Sequence, residues 1–185
     1  KPTRAPSGEA KEFVDRGEAA FKAGDYAGAV QSLRHAVVDD PQNALIALML
    51  GQALFATGNF EEAAGATQAA MRQLPKEQWG VIIANYEELY GKRTDYTEQL
   101  HTLEKAIKDK PAEPALRFLA GFHYAYLGFA TEAVDQLDAG LKLAPRDEMA
   151  RRLRNEMRAK LANPTKAPAP LLPGLPDESD EPKDE

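Results

Sequence analysis

The 185-residue chain contains no cysteine, one tryptophan and three histidines. The lack of cysteine excludes disulfides, thiolate nucleophiles, zinc fingers and cysteine-held iron–sulfur clusters. No apolar run approaches the roughly 18 residues that a membrane-spanning helix requires. The sequence therefore predicts a chain without membrane insertion, in cytoplasm or, after loss of a targeting segment, in periplasm or outside the cell. A net charge of −6 argues against nucleic acid as a partner, because phosphate contacts need positive surface. At this length a single domain buries about 70% of its unfolded surface, so the fold needs no covalent or metal staple.

Charge and proline are unevenly spread. Residues 163–185 hold six of the 13 prolines and six acids (Asp177, Glu178, Asp180, Glu181, Asp184, Glu185) against Lys166 and Lys183. Such a segment cannot bury enough apolar surface to offset its ordering entropy, which predicts an extended or disordered tail. The chain divides into a flexible start at 1–9, a folded body at 10–162 and the proline-rich acidic tail at 163–185.

The body repeats. Pro41, Pro75, Pro111 and Pro145 are spaced by 34, 36 and 34 residues. Gly17, Gly51 and Gly121 each stand 24 residues before their proline, and Ala29, Ala63 and Ala133 stand 12 before it. Ala36, Ala70, Ala106 and Gly140 stand five before it. Small residues at such positions let two antiparallel helices approach closely. Gly24, Gly58 and Gly128 suit helix ends, where glycine takes the left-handed conformation cheaply. Each proline pushes the residue before it out of the helical region and closes its unit. A fixed period of 34 with this frame resembles the tetratricopeptide repeat family from about Ala10 to Pro145. The resemblance implies an all-α, right-handed α-solenoid of four helix-turn-helix repeats at about 10–43, 44–77, 80–113 and 114–147. A capping helix at about 147–162 follows.

The third unit departs from the frame. Its two small positions are Glu87 and Gln99, its turn reads GKRTDY, and two extra residues precede it around Trp79. Larger residues there predict a kink, with Trp79, Tyr86 and Tyr90 filling the gap; a specialised binding notch is the alternative. In the capping helix, Met149, Leu153, Met157 and Leu161 form one apolar stripe at a spacing of four. Arg151, Arg152, Arg154, Arg158 and Lys160 are expected on its solvated face, as the end of a repeat array requires.

Catalytic chemistry finds no support. His35, His101 and His123 fall in different units, and none pairs with a second ligand at metal-binding spacing. No glycine-rich phosphate loop and no nucleophile elbow is present. The expectation is a non-enzyme without cofactor or metal.

In the resembled family the first helices line a concave, partner-binding face. Carried over by position, that face would consist of Leu45, Leu48, Gln52, Phe55, Val81, Asn85, Phe118, Phe122 and Tyr126, with Lys11, Val14, Glu18, Phe21, Ala84, Glu88 and Ala115 beside them. The predicted function is an interaction scaffold that takes an unidentified protein or peptide in an apolar groove, anchored by Leu48, Phe55, Phe118, Phe122 and Tyr126. The alternatives are a carrier of a small apolar ligand and ordinary core packing of the same stripe. Family members that clamp acidic chaperone tails do so with lysine, asparagine and arginine. The matching positions here read Val14, Glu18, Met49, Val81 and Asn85, or Leu48, Gln52, Asn85, Ala115 and Leu119, which lack the cations. A further candidate occupant is the chain's own LLPGLP segment at 171–176, docking within the molecule or between copies.

Overall fold

A computed structural model describes residues 5–164, and among these it contains ten α-helices and no strand. Residues 1–4 and the whole of LLPGLP lie outside the described residues, as does any docking of that segment.

Three hairpins are built alike. They pair α1 (Gly8–Lys22) with α2 (Tyr26–Asp39), α3 (Ala44–Ala56) with α4 (Phe60–Gln73), and α8 (Pro114–Leu127) with α9 (Ala130–Leu143). Each turns on a glycine with positive φ: Gly24 at 82°, Gly58 at 77° and Gly128 at 100°. That left-handed conformation costs a residue with a Cβ about 1–2 kcal/mol, so the sequence places glycine there. Asp25 caps α2 by accepting from the Gly28 amide at 2.9 Å.

The in-frame glycines mark where the paired helices touch. A Cβ on Gly17 would stand 2.9 Å from Leu33 Cγ, one on Gly51 2.6 Å from Thr67 Oγ1, and one on Gly121 2.6 Å from Leu137 Cγ. The opposing residue is thus a side chain one turn beyond the in-frame alanine. Ala29, Ala63 and Ala133 are themselves fully buried.

The third unit does not form a hairpin of this kind. After a short 3-10 helix (Lys76–Gln78) come two four-residue helices, α5 (Val81–Ala84) and α6 (Tyr86–Leu89), then α7 (Arg93–Asp109). The α4 helix packs directly against α8. The fourth unit therefore takes the place that a regular third unit would occupy. The displaced stretch lies over the first helices of the hairpins: α5 against α3 and α8, α6 against α1, and α7 against α3 and α8.

The capping helix, α10 (Glu148–Ala162), packs on α9. Asp147 caps it by accepting from the Ala150 amide at 2.9 Å. Met149, Leu153 and Met157 are buried, whereas Leu161 is 45% exposed, so the apolar stripe is one turn shorter than its sequence spacing implies. The basic residues are not simply solvated. Arg154 and Arg158 both pair with Asp138 of α9, at 3.2 and 2.7 Å. Arg152 lies over the Trp79 ring and Lys160 over the Tyr126 ring, at 5.2 and 5.6 Å from the centroids.

Candidate functional site

The face expected to be an open groove is largely covered by the chain's own third unit. Its aromatic side chains form the cover. Trp79 is buried and donates from its indole to the Met71 and Leu74 carbonyls at 2.9 and 3.1 Å, which fixes the start of the stretch at the end of α4. Tyr90 packs edge-on against Phe21 with centroids 4.8 Å apart. Its hydroxyl accepts from Gln52 at 2.8 Å and donates to Gln99 at 2.6 Å. Tyr96 meets Phe55 edge-on at 5.9 Å, and its hydroxyl lies 2.7 Å from His123 Nδ1. Tyr26 donates to Asp95 at 2.7 Å, tying the first hairpin to α7.

Two glycines permit the close crossing. A Cβ on Gly80 would stand 2.0 Å from Tyr126 Cδ1, and one on Gly91 2.0 Å from the Lys22 carbonyl oxygen. Gly91 thus serves as a point of approach to the end of α1 rather than as a hairpin turn. Tyr86 is buried beside Tyr90 and Tyr96.

Burial sets the electrostatics of this layer. Desolvation raises the Tyr90 and Tyr96 hydroxyls well above the usual phenol range. For Tyr26, too, burial acts first and the hydrogen bond to Asp95 second, and both raise its pKa. Burial pushes the His123 imidazole down to about 3, so it is neutral at physiological pH. His123 stacks beside Phe55 with centroids 4.0 Å apart. His35 is exposed and stacks on Phe13 at 5.0 Å, and His101 is exposed on α7. The three imidazoles form no common site, and no group of metal-ligating side chains occurs among the described residues.

The expected groove residues separate into two sets. Leu48, Gln52, Phe55, Phe118 and Phe122 are buried, at 4% exposure or less. They are core side chains, because α5–α7 cover the helices that carry them. An anchor for a partner needs accessible surface, so the expected anchoring role of Leu48, Phe55, Phe118 and Phe122 is corrected by this burial. Leu45 and Tyr126 are half-buried and packed on that core. Val81 and Asn85 belong to what remains open.

That open part is a cleft of about 740 Å³ between α1, α3 and the α5–α6 segment. Its apolar lining is Ala19, Met49, Val81, Ile82 and Leu89. Asp15, Glu18 and Lys22 line it from α1, and Asn85 and Glu88 from the α5–α6 segment. Asn85 donates to the Val81 carbonyl at 2.8 Å, which holds its amide at the break between α5 and α6 and leaves its amide oxygen as an acceptor. Lys11 pairs with Asp15 at 2.5 Å. Desolvation raises the Glu18 carboxyl, the Asp15 charge raises it further, and Lys11 offsets part of the effect. Met49, Ile82 and Leu89 were not in the expected site. The nearly all-apolar run of α3 and the apolar VII at 81–83 were visible in the sequence. The break at Asn85 that turns them to one cleft was not.

Among the described residues no helix is long and apolar enough to cross a membrane. Residues 20–84 match the family model described as tetratricopeptide repeat. No curated protein matches the chain. Similar solved structures include the first TPR of Spaghetti (RPAP3) bound to the HSP90 peptide SRMEEVD, at 15% identity over 88% of this chain and 99% of that one, with a TM-score of 0.38. The Sgt2 TPR domain from Aspergillus fumigatus is 15% identical over 96% and 93% of the two chains, with a TM-score of 0.38. MamA from Desulfovibrio magneticus RS-1 is 15% identical over 85% and 88%, also with a TM-score of 0.38. The matched stretch runs from α1 into α5 and is similar to the tetratricopeptide repeat, and α8–α9 repeats its glycine, alanine and proline frame.

Proposed function

We propose that this protein is a non-catalytic interaction scaffold that holds a partner protein or peptide in the cleft between α1, α3 and α5–α6. The observation that carries the reading is the cleft itself. It opens between the first helices and the start of the third unit, and half-buried apolar side chains (Met49, Val81, Ile82, Leu89) line it. An apolar floor rimmed by polar side chains is the usual anatomy of a protein-binding patch. A carrier of a small apolar ligand has less support, because the rings that would have lined its cavity are buried, Phe55 against Tyr96 of α7 and Phe118 against Phe122.

The test fills the cleft without touching the core. Ala19 is exposed on α1 and lines the cleft, whereas Ala27 is exposed on α2 and does not. Proteins retained from a cell extract by the immobilised full chain are compared with those retained by Ala19→Trp and by Ala27→Trp. The expected result is loss of specific capture with Ala19→Trp alone. Unchanged capture by a folded Ala19→Trp chain removes the cleft from the function.

A further inference from the structure

The cleft carries more than apolar side chains, because both α1 and α6 contribute carboxylates to its lining. Glu18 and Asp15 stand on α1, and Glu88 stands on α6. Asp15 is engaged by Lys11. Glu18 and Glu88 have no ion-pair partner among the described residues. Lys22, at the end of α1, is the sole cation among the lining side chains. With Asp15 neutralised by Lys11, two carboxylates against one ammonium leave the lining one charge negative beside its apolar side chains.

We infer that the occupant of this cleft is a basic amphipathic helix, whose apolar stripe lies on Met49, Val81, Ile82 and Leu89 and whose flanking lysines or arginines meet Glu18 and Glu88. The inference rests on the cleft being the docking site. A helix with an apolar stripe and cations beside it offers the two complements that this lining calls for, apolar contact for Met49, Val81, Ile82 and Leu89 and positive charge for Glu18 and Glu88. Charge complementarity of this kind sets specificity and association rate more than raw affinity. An extended acidic tail meets like charge here. The run of acids at 177–185 of this chain therefore has the wrong sign for the cleft.

The experiment uses the full chain and two synthetic helical peptides that share one leucine stripe. One is flanked by lysines, and its twin carries glutamate at every lysine. Binding is followed by fluorescence anisotropy at low and moderate salt. The expected result is binding of the lysine peptide in preference to its twin, weakened as salt is raised. Glu18→Lys and Glu88→Lys, both exposed positions, are expected to weaken it by about tenfold or more each and to improve binding of the glutamate twin. Far-UV circular dichroism confirms that both variants remain folded. Equal or tighter binding of the glutamate twin, blocked by Ala19→Trp, overturns the basic-helix inference and leaves the cleft as a docking site. Binding of neither peptide, or binding unaffected by Ala19→Trp, overturns both.

Discussion

The α3–α4 hairpin and the 79–109 stretch occupy successive repeat periods, yet they solve the burial problem in opposite ways. In α3–α4, small residues at Gly51 and Ala63 let two helices meet face to face, and Gly58 makes the tight reversal between them. In the next period those small positions are Glu87 and Gln99. Side chains of that size prevent a close crossing, since the interaxial distance is set by the residues at the contact. The stretch cannot stack on α4, and α8 does so instead. Its apolar content is then buried by spreading aromatics over the concave face. The same period therefore yields either a wall of the solenoid or a cover for its hollow, depending on two positions.

Removing the anchor of the cover should give the largest effect. Trp79→Ala deletes a fully buried ring and both of its hydrogen bonds to the end of α4. It is expected to cost about 3–5 kcal/mol, read as a lowered denaturation midpoint with one transition. Two separate transitions in the variant would show the cover to be an independent layer rather than part of the core. Phe118→Ala with Phe122→Ala is expected to unfold the chain for the same reason, where an open groove would have left helicity intact.

Overpacking the wall comes next. Gly51→Leu places its Cβ 2.6 Å from Thr67 Oγ1 and 3.4 Å from the Ala63 carbonyl oxygen. A cost on the order of 1–3 kcal/mol is expected in urea melts. An unchanged midpoint would mean that the hairpin contact is looser than its geometry states.

Acid should act at the seam between the two regions. His123, on the wall, faces Tyr96, on the cover, and its pKa falls from an unfolded value of 6.5 to about 3 through burial. Between those values the unfolded chain binds one proton more than the folded chain. The stability from this group is complete above pH 6.5 and is lost as pH falls toward 3, at about 1.4 kcal/mol per pH unit within that window. Urea midpoints at pH 7, 6 and 5 should therefore fall more steeply for the natural chain than for His123→Gln. Parallel slopes would place His123 in contact with water.

The smallest change should be a gain. Gly65 lies exposed within α4, and a Cβ there would meet nothing within 4 Å. Gly65→Ala is expected to stabilise by about 0.5–1 kcal/mol through helix propensity. A loss instead would reveal a contact on the outer face of the wall.

Much of this was legible residue by residue. Gly24, Gly58 and Gly128 announced their turns because a positive φ leaves few alternatives to glycine. Gly17, Gly51 and Gly121 announced the helix contacts because no larger residue fits them. Glu87 and Gln99 announced that the third period breaks the frame. Where the broken period would go was not legible. Nothing in the spacing of Tyr90 or Tyr96 distinguishes a ring that plugs its own unit from one that crosses to Gln52 or His123. For the same reason Phe55, Phe118 and Phe122 could be placed on the concave face by position, while their exposure could not be deduced.

The sequence by itself determined the helical repeat, its 34-residue period, its turns and the unit that fails, because these depend on backbone conformation and on contacts within one helix pair. Tertiary structure alone decided that α8 stacks on α4, that α5–α7 fill the hollow and that the remaining cleft is walled by Glu18 and Glu88. Those outcomes rest on contacts between residues far apart in the chain, such as Tyr90 with Gln52 and Gly80 with Tyr126. No local pattern encodes such contacts, since they exist only once every helix pair has found its neighbour.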